Sequence, residues 1–260
     1  MNLVIDVGNT VVKLSVFDGD KLTELVREGD GEFALLPALC ARHACSAAII
    51  STVRTLDEED IELINSLQIP VLWMTPSTPV PLENWYETPD TLGCDRLAAV
   101  VGAHTLFPGR DLLVIDAGTC VTYEWVDARG RYWGGNISPG VQMRFSALHR
   151  FTGRLPMVQA EGRCLSIGRD TETAMRAGVL IGLRHEMRGY IHEMRARHPG
   201  LQVVLTGGDT ARLSEGLDEA AIIDPILVLR GLNSILRDNL RRQTDAISPP
   251  QGEHSVASAR

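Results

Sequence analysis

The chain has 260 residues, of which 44% are hydrophobic and 22% charged, and a formal net charge of −8. That composition excludes a disordered or fibrous protein and fits one large or two modest globular domains, stable without disulfide or metal staples. The acidic balance argues against a nucleic-acid partner, and no apolar run reaches the ~20 residues of a membrane span.

In chain order, residues 3–7 (LVIDV) form a β-branched strand. Gly8 and Asn9 supply a turn that calls for positive φ, and residues 11–17 return as a second strand ending at Asp18-Gly19. Helical spacing covers 33–42, a buried strand 47–52, and an acid-started helix 57–67. A strand over 69–74 contains Pro70, which points to a sheet edge. Four prolines make 75–89 a loop without regular structure, and 92–106 reads as a helix. A second strand–turn–strand occupies 111–130, followed by a strand at 132–137 and a helix at 141–150. A long helix over 171–198, a strand at 202–205 and a last helix at 226–241 complete the order. Residues 243–260 are polar and contain prolines, which predicts a disordered tail.

A shift of 110 residues places VIDVGNTVVKLSV over VIDAGTCVTYEWV. Val4, Ile5, Asp6, Gly8 and Val11 then meet Val114, Ile115, Asp116, Gly118 and Val121. Two copies, each heading a run of strands and helices, are no solenoid array; they predict a duplicated domain divided as 1–110 and 111–242.

The chemistry concentrates at these repeats. In Asp6-Val7-Gly8-Asn9-Thr10, a carboxylate ends a strand beside a turn whose backbone N–H groups can cradle phosphate. Lys13 follows on the returning strand, one of only two lysines in the chain. Taken alone, the first copy reads more readily as a plain structural turn; the second copy, Asp116-Ala117-Gly118-Thr119, favours a cleft that grips a nucleotide between opposed turns. Thr206-Gly207-Gly208-Asp209 adds a third glycine turn after a strand, and none of the three is a P-loop. At Gly93-Cys94-Asp95-Arg96 a helix begins with acid and base side by side. Asp95 suits the proton of a substrate hydroxyl and Arg96 a substrate anion; a helix cap with a solvated Arg96 is the alternative. Tyr86 reads either as a substrate contact or as packing. Five cysteines without a CxxC pair suit a reducing compartment, so Cys94 and Cys120 read as small thiols rather than nucleophiles. The opening MNLVIDVGNT lacks the basic n-region of a signal peptide, and a cytoplasmic location is expected.

DVGNT with Lys13, NWYETPDTLGCDR, DAGTCVT, GGNISPG, GRDTETAMRAG and LTGGD, in that order, resemble the type III pantothenate kinases of the acetate and sugar kinase, Hsp70 and actin superfamily. The resemblance spans about residues 2–242. It implies an α/β fold of two actin-like (ribonuclease H-like) domains, with mixed sheets flanked by helices and an interdomain nucleotide cleft. It also implies ATP-dependent phosphorylation of pantothenate to 4'-phosphopantothenate, the first step of coenzyme A biosynthesis. By this resemblance ATP falls to Asp6, Val7, Gly8, Asn9, Thr10, Val11, Val12, Lys13 and Thr119. Asp95 is the proton acceptor, and Tyr86, Gly93, Cys94, Asp95, Arg96 and Thr171 contact pantothenate. Asp116 holds a monovalent cation, typically K⁺, and Mg²⁺ accompanies the nucleotide. The implied assembly is a homodimer in which Thr171 comes from the neighbouring subunit; the small residues Ala174 and Gly178 suit close helix approach there, although burial within one chain would look the same. The alternatives are a sugar or small-acid kinase of the superfamily and a non-catalytic regulatory protein on the same fold.

Overall fold

The computed structural model describes residues 1–9, 11–29, 33–217 and 220–247. Thr10 and residues 248–260, most of the expected tail, lie outside the described residues.

Strand β1 (Asn2–Val7) is buried from Leu3 onward because it has neighbours on both sides and helices on both faces. It runs antiparallel to β2 (Val11–Asp18), which pairs with β3 (Lys21–Gly29). Helix α1 (Leu36–Arg42) leads to β4 (Ala47–Thr52), parallel to β1 on its other side. Helix α2 (Glu58–Asn65) starts where Asp57 accepts the Asp60 N–H at 2.9 Å. Strand β5 (Val71–Trp73) then closes the sheet in the order β3-β2-β1-β4-β5, placing the strand after Pro70 at the edge as its sequence predicts.

The chain now crosses over. The segment expected to lack regular structure contains β6 (Glu83–Asn84), which pairs with a strand of the second sheet. Helix α3 (Cys94–Leu106) follows, then β7 (Leu112–Ala117), β8 (Cys120–Val126) and β9 (Arg131–Pro139). Helix α4 is Val141–Arg150. The single long helix predicted for 171–198 is α5 (Thr171–Arg176), a π turn at Ala177–Ile181 and α6 (Gly182–Arg197) in succession. Strand β10 (Gln202–Thr206), short helix α7 (Thr210–Leu213) and β11 (Ile222–Ile223) precede α8 (Leu227–Ile247). Helix α8 continues through Ile247, so residues 243–247 are helical rather than tail.

The second sheet has the order β11-β10-β7-β8-β9-β6, so β7 has the same antiparallel and parallel neighbours as β1. The repeated sequence therefore corresponds to a repeated topology. The hairpins differ by one residue: Asp6 lies opposite Lys13, whereas Asp116 lies opposite Thr122.

Helices α3 and α8 fill the space between the sheets, packing Leu97, Val100, Leu232 and Ile235 against Val4 and Ile49 on one side and Val114 and Val204 on the other. They cross backbone to backbone. A Cβ at Gly231 would overlap the Ala98 carbonyl oxygen, and one at Gly102 the Leu227 carbonyl oxygen. The far face of the second sheet carries Leu113, Ile115 and Tyr123 against Phe145, Met175 and Leu183. Among the described residues no helix is long and apolar enough to cross a membrane.

Candidate active site

Asp6 and Asp116 occupy equivalent places near the ends of the two central strands. Asp6 is buried and accepts Lys13 Nζ at 3.2 Å; Lys13 keeps 33% of its side chain exposed, so its ammonium still faces the solvent side of the bend. Burial pushes the Asp6 carboxyl above its ordinary value, Lys13 opposes this, and the charge of Asp95 adds to it. Half-buried Asp116 is pushed up to about 6, chiefly by burial; Lys13 lowers it, and Asp95, Asp6 and Glu124 raise it. Charges shift one another measurably only at short range or in a dry environment. Asp6, Lys13, Asp95 and Asp116 therefore lie close enough to feel one another's charge.

Glycines let these bends approach other backbone. Positive φ is not the reason at the first bend: neither Gly8 nor Asn9 has it, contrary to the expectation. Instead the Gly8 N–H donates to the Val11 carbonyl at 3.1 Å, and a Cβ at Gly8 would stand 3.1 Å from that same oxygen. At the second bend Gly118 N–H donates to the Cys120 carbonyl at 2.9 Å. Two other motifs converge here. Gly140 of GGNISPG donates to the Thr119 carbonyl at 3.1 Å, leaving no room for a Cβ. Gly207 of LTGGD has φ +98°, and a Cβ there would lie 2.5 Å from Asp116 Oδ1.

Of the residues expected to contact ATP, Val7 and Val12 point their side chains into the core on the face of the first sheet away from α3 and α8, with Leu36 and Leu39, leaving only their backbone for a ligand. Val11 and Gly8 are half-buried, and Asn9 and Thr119 are exposed at the two bends. Thr10 lies outside the described residues.

Helix α3 begins at Gly93 without a side-chain cap; Asp95 Oδ1 accepts the Arg96 N–H at 2.8 Å. A Cβ at Gly93 would come within 2.5 Å of Asp95 Oδ1, so glycine makes room for the carboxylate. The Cys94 thiol donates to the Met74 carbonyl at 3.7 Å and is pushed up by burial, which keeps it a thiol rather than a nucleophile. Cys120 Sγ rests 3.8 Å from Met143 Sδ.

Arg96 is not solvated. Its Nε and Nη2 donate to Glu124 Oε1 and Oε2 at 2.6 and 2.8 Å, and Tyr132 donates its hydroxyl to Glu124 at 2.6 Å. Burial works against the Arg96 charge, but Glu124 outweighs it and holds the guanidinium above its ordinary value. Tyr86 lies beneath Arg96 at 5.4 Å and stacks on Tyr132 at 6.1 Å. Sequence reasoning missed Glu124. A lone carboxylate between Tyr123 and Trp125 in a strand was the available signal.

Thr171 does not join this group within one chain. It is exposed at the start of α5, the helix whose Met175 packs on the face of the second sheet opposite α3. Ala174 and Gly178 are exposed too, which removes the reading that they serve a buried helix contact.

The type III pantothenate kinase family model matches residues 2–193. A type III pantothenate kinase of Bacteroides fragilis is 52% identical over 239 residues, 92% of this chain and 98% of that protein. Its counterpart in Porphyromonas gingivalis is 44% identical over 242 residues, 92% and 99% of the two chains. The chain belongs to the type III pantothenate kinase family. It is accordingly a kinase, a phosphotransferase of a family that uses ATP. Solved structures add the fold. A candidate Baf-family transcriptional activator from Campylobacter jejuni aligns at a TM-score of 0.59 and 21% identity, covering 92% of this chain and 99% of its own. A candidate N-acetylmannosamine kinase from Listeria monocytogenes aligns at 0.52 and 13%, covering 93% and 99%. The expected actin-like α/β architecture of this pantothenate kinase is thus met, with two mixed sheets flanked by helices.

Proposed function

We infer that the chain transfers the γ-phosphoryl group of ATP to the primary hydroxyl of pantothenate, the reaction of its family and the first step of coenzyme A biosynthesis. The observation that supports the residue roles is that Asp6, Lys13, Asp95 and Asp116 lie within reach of one another's charge, with Lys13 bonded to Asp6. Phosphoryl transfer is mostly a matter of positioning and charge compensation, and these groups supply both. The bend from Asp6 to Lys13, with Thr119 opposite, holds the triphosphate; the exposed side of Lys13 meets phosphate oxygens. Asp95, at a helix start that favours negative charge, orients the substrate hydroxyl and takes its proton late in the transfer. Tyr86, Gly93, Cys94 and Arg96 line the pantothenate side.

A cation suits this region because three carboxylates feel one another's charge with one lysine among them, and the Asp116 carboxyl is raised first by burial and then by its carboxylate neighbours. Among the described residues no group of three potential metal-binding side chains is preassembled. Mg²⁺ would arrive with the nucleotide, held mainly by phosphate and water. Asp116 is the residue to hold K⁺, which would supply positive charge against the phosphates.

The pantothenate site is completed by Thr171 of a second copy, since α5 cannot reach the crevice of its own chain from the opposite face. Ile137, Met143, Phe151, Met157 and Ile167 are exposed on or near α4 and the segment leading to α5. Beside them lies an apolar groove of about 530 Å³ between Leu148, Phe151 and Val179. A homodimer covers this surface. The test is direct: purified protein with ATP, Mg²⁺, K⁺ and pantothenate forms phosphopantothenate, and activity falls when Na⁺ replaces K⁺. No product overturns the reaction, and indifference to the cation overturns the role of Asp116.

A further inference from the structure

The roles given to Asp95, Arg96 and Tyr86 leave one neighbour unexplained: a carboxylate with no exposure at all. Glu124 is 0% exposed and accepts three hydrogen bonds, two from Arg96 at 2.6 and 2.8 Å and one from the Tyr132 hydroxyl at 2.6 Å. A buried carboxylate persists where its charge is matched and its lone pairs are filled, and both conditions hold here. The two-pronged contact also fixes the plane of the guanidinium, which a single hydrogen bond would leave free to rotate.

That plane has a further consequence. The Arg96 guanidinium lies over the Tyr86 ring at 5.4 Å, and Tyr86 stacks on Tyr132 at 6.1 Å with 12° between the rings. Tyr132 in turn donates to Glu124, so the carboxylate anchors both ends of the Arg96–Tyr86–Tyr132 stack. The first two glycines of GGNISPG serve this arrangement. A Cβ at Gly135 would overlap Glu124 Oε2, and one at Gly134, where φ is +115°, would come within 2.9 Å of the Tyr86 ring. Arginine has five N–H donors, of which Glu124 engages two. The remaining edge is held at a set angle beside Tyr86.

We propose that Glu124 is a positioning residue for pantothenate, acting through Arg96, whose N–H edge on the Tyr86 side it aims at a substrate oxygen. This rests on the reading above that Arg96 and Tyr86 line the pantothenate side of the crevice. The charge of Glu124 reaches Asp116 only as a minor influence, while its hydrogen bonds all go to Arg96 and Tyr132, so the main effect of disturbing Glu124 falls on pantothenate.

Glu124→Gln replaces one acceptor oxygen by a donor facing Arg96 or Tyr132, so the fork opens. The expected result is a rise of about tenfold or more in the KM for pantothenate, with the KM for ATP within about twofold of wild type and a smaller loss in kcat. Tyr132→Phe removes one hydrogen bond to Glu124 and keeps the stacked ring, so the KM for pantothenate rises about threefold. Glu124→Asp keeps the charge with a shorter reach and recovers part of the Gln variant's loss. A pantothenate KM unmoved in both Glu124→Gln and Tyr132→Phe, with only a lower Tm, identifies a purely structural ion pair and overturns the proposal. Should Glu124→Gln fail to fold, Tyr132→Phe decides alone by the same split between the two KM values. Failure of the underlying reading looks different: Arg96→Ala then leaves the pantothenate KM at its wild-type value, or the wild-type protein forms no phosphopantothenate at all.

Discussion

Asp95 and Asp116 are carboxylates within reach of each other's charge, but their surroundings suit them to different work. Asp95 sits on the first turn of α3 with its oxygen on the Arg96 N–H, open enough to meet a hydroxyl. Replacing it by Asn keeps the shape and removes the proton acceptor. Asp95→Asn is expected to lose about 10²-fold or more in turnover while calorimetry still detects pantothenate binding; retained turnover would remove the base assignment. Asp116 is raised to about 6 by burial and by its carboxylate neighbours, against about 3.8 when unfolded. The folded chain therefore binds this proton more tightly. Ionised Asp116 costs stability above pH 6, and the cost fades as pH falls from 6 towards 3.8. Asp116→Asn should accordingly be more stable than wild type at pH 8 in potassium-free buffer, by on the order of 2 kcal/mol after allowing for its partial exposure, and equal to it near pH 4. Thermal melts at the two pH values check this; a variant less stable at pH 8 contradicts it. These acids were legible in the sequence because each ends a β-branched run beside glycine or opens a helix. Glu124 was not, because its importance comes from Arg96 and Tyr132, 28 residues before it and 8 after it.

At the scale of elements, the strands flanking the repeated motif were readable because a strand buried on both faces is a plain apolar run. The ends of elements and the shortest ones were not. β6 is two residues in a proline-rich segment, and its pairing with β9 is decided by tertiary contact rather than local propensity. The π turn inside the 171–198 helix likewise leaves the helical periodicity of the sequence nearly unchanged. The tightest helix packing was also invisible. Sequence pointed to Ala174 and Gly178, which are exposed, while the close crossing uses Gly102 on α3 and Gly231 on α8. A methyl group at either position must push two backbones apart in the centre of the molecule. Gly231→Ala is thus expected to lower stability by about 1–3 kcal/mol or more despite the better helix propensity of alanine. Gly189→Ala, in open space on α6, should be neutral or slightly stabilising. Denaturant melts of the pair test the distinction, and equal effects would show that the crossing tolerates the methyl group.

At the scale of the whole molecule, the question is why one chain leaves Ile137, Met143, Phe151, Met157 and Ile167, all between β9 and α5 in sequence, in water. Phe151 and Ile167 are 81% and 80% exposed, beyond what scattered surface hydrophobics require. They bracket the segment that leads into α5 and Thr171. A two-fold dimer through this face would bury these side chains and could carry Thr171 of one copy to the crevice of the other. Assembly and catalysis would then be linked: a chain held apart from its partner keeps its own Asp6, Asp95 and Asp116 but lacks a pantothenate contact. Phe151→Asp with Ile167→Asp places two charges among these side chains without touching the crevice. The double variant is expected to run as a monomer in light scattering, to retain the wild-type circular dichroism spectrum, and to lose most pantothenate phosphorylation. Raising its concentration should restore activity only in so far as dimer returns. A monomeric double variant with full turnover would mean that each crevice is complete within its own chain.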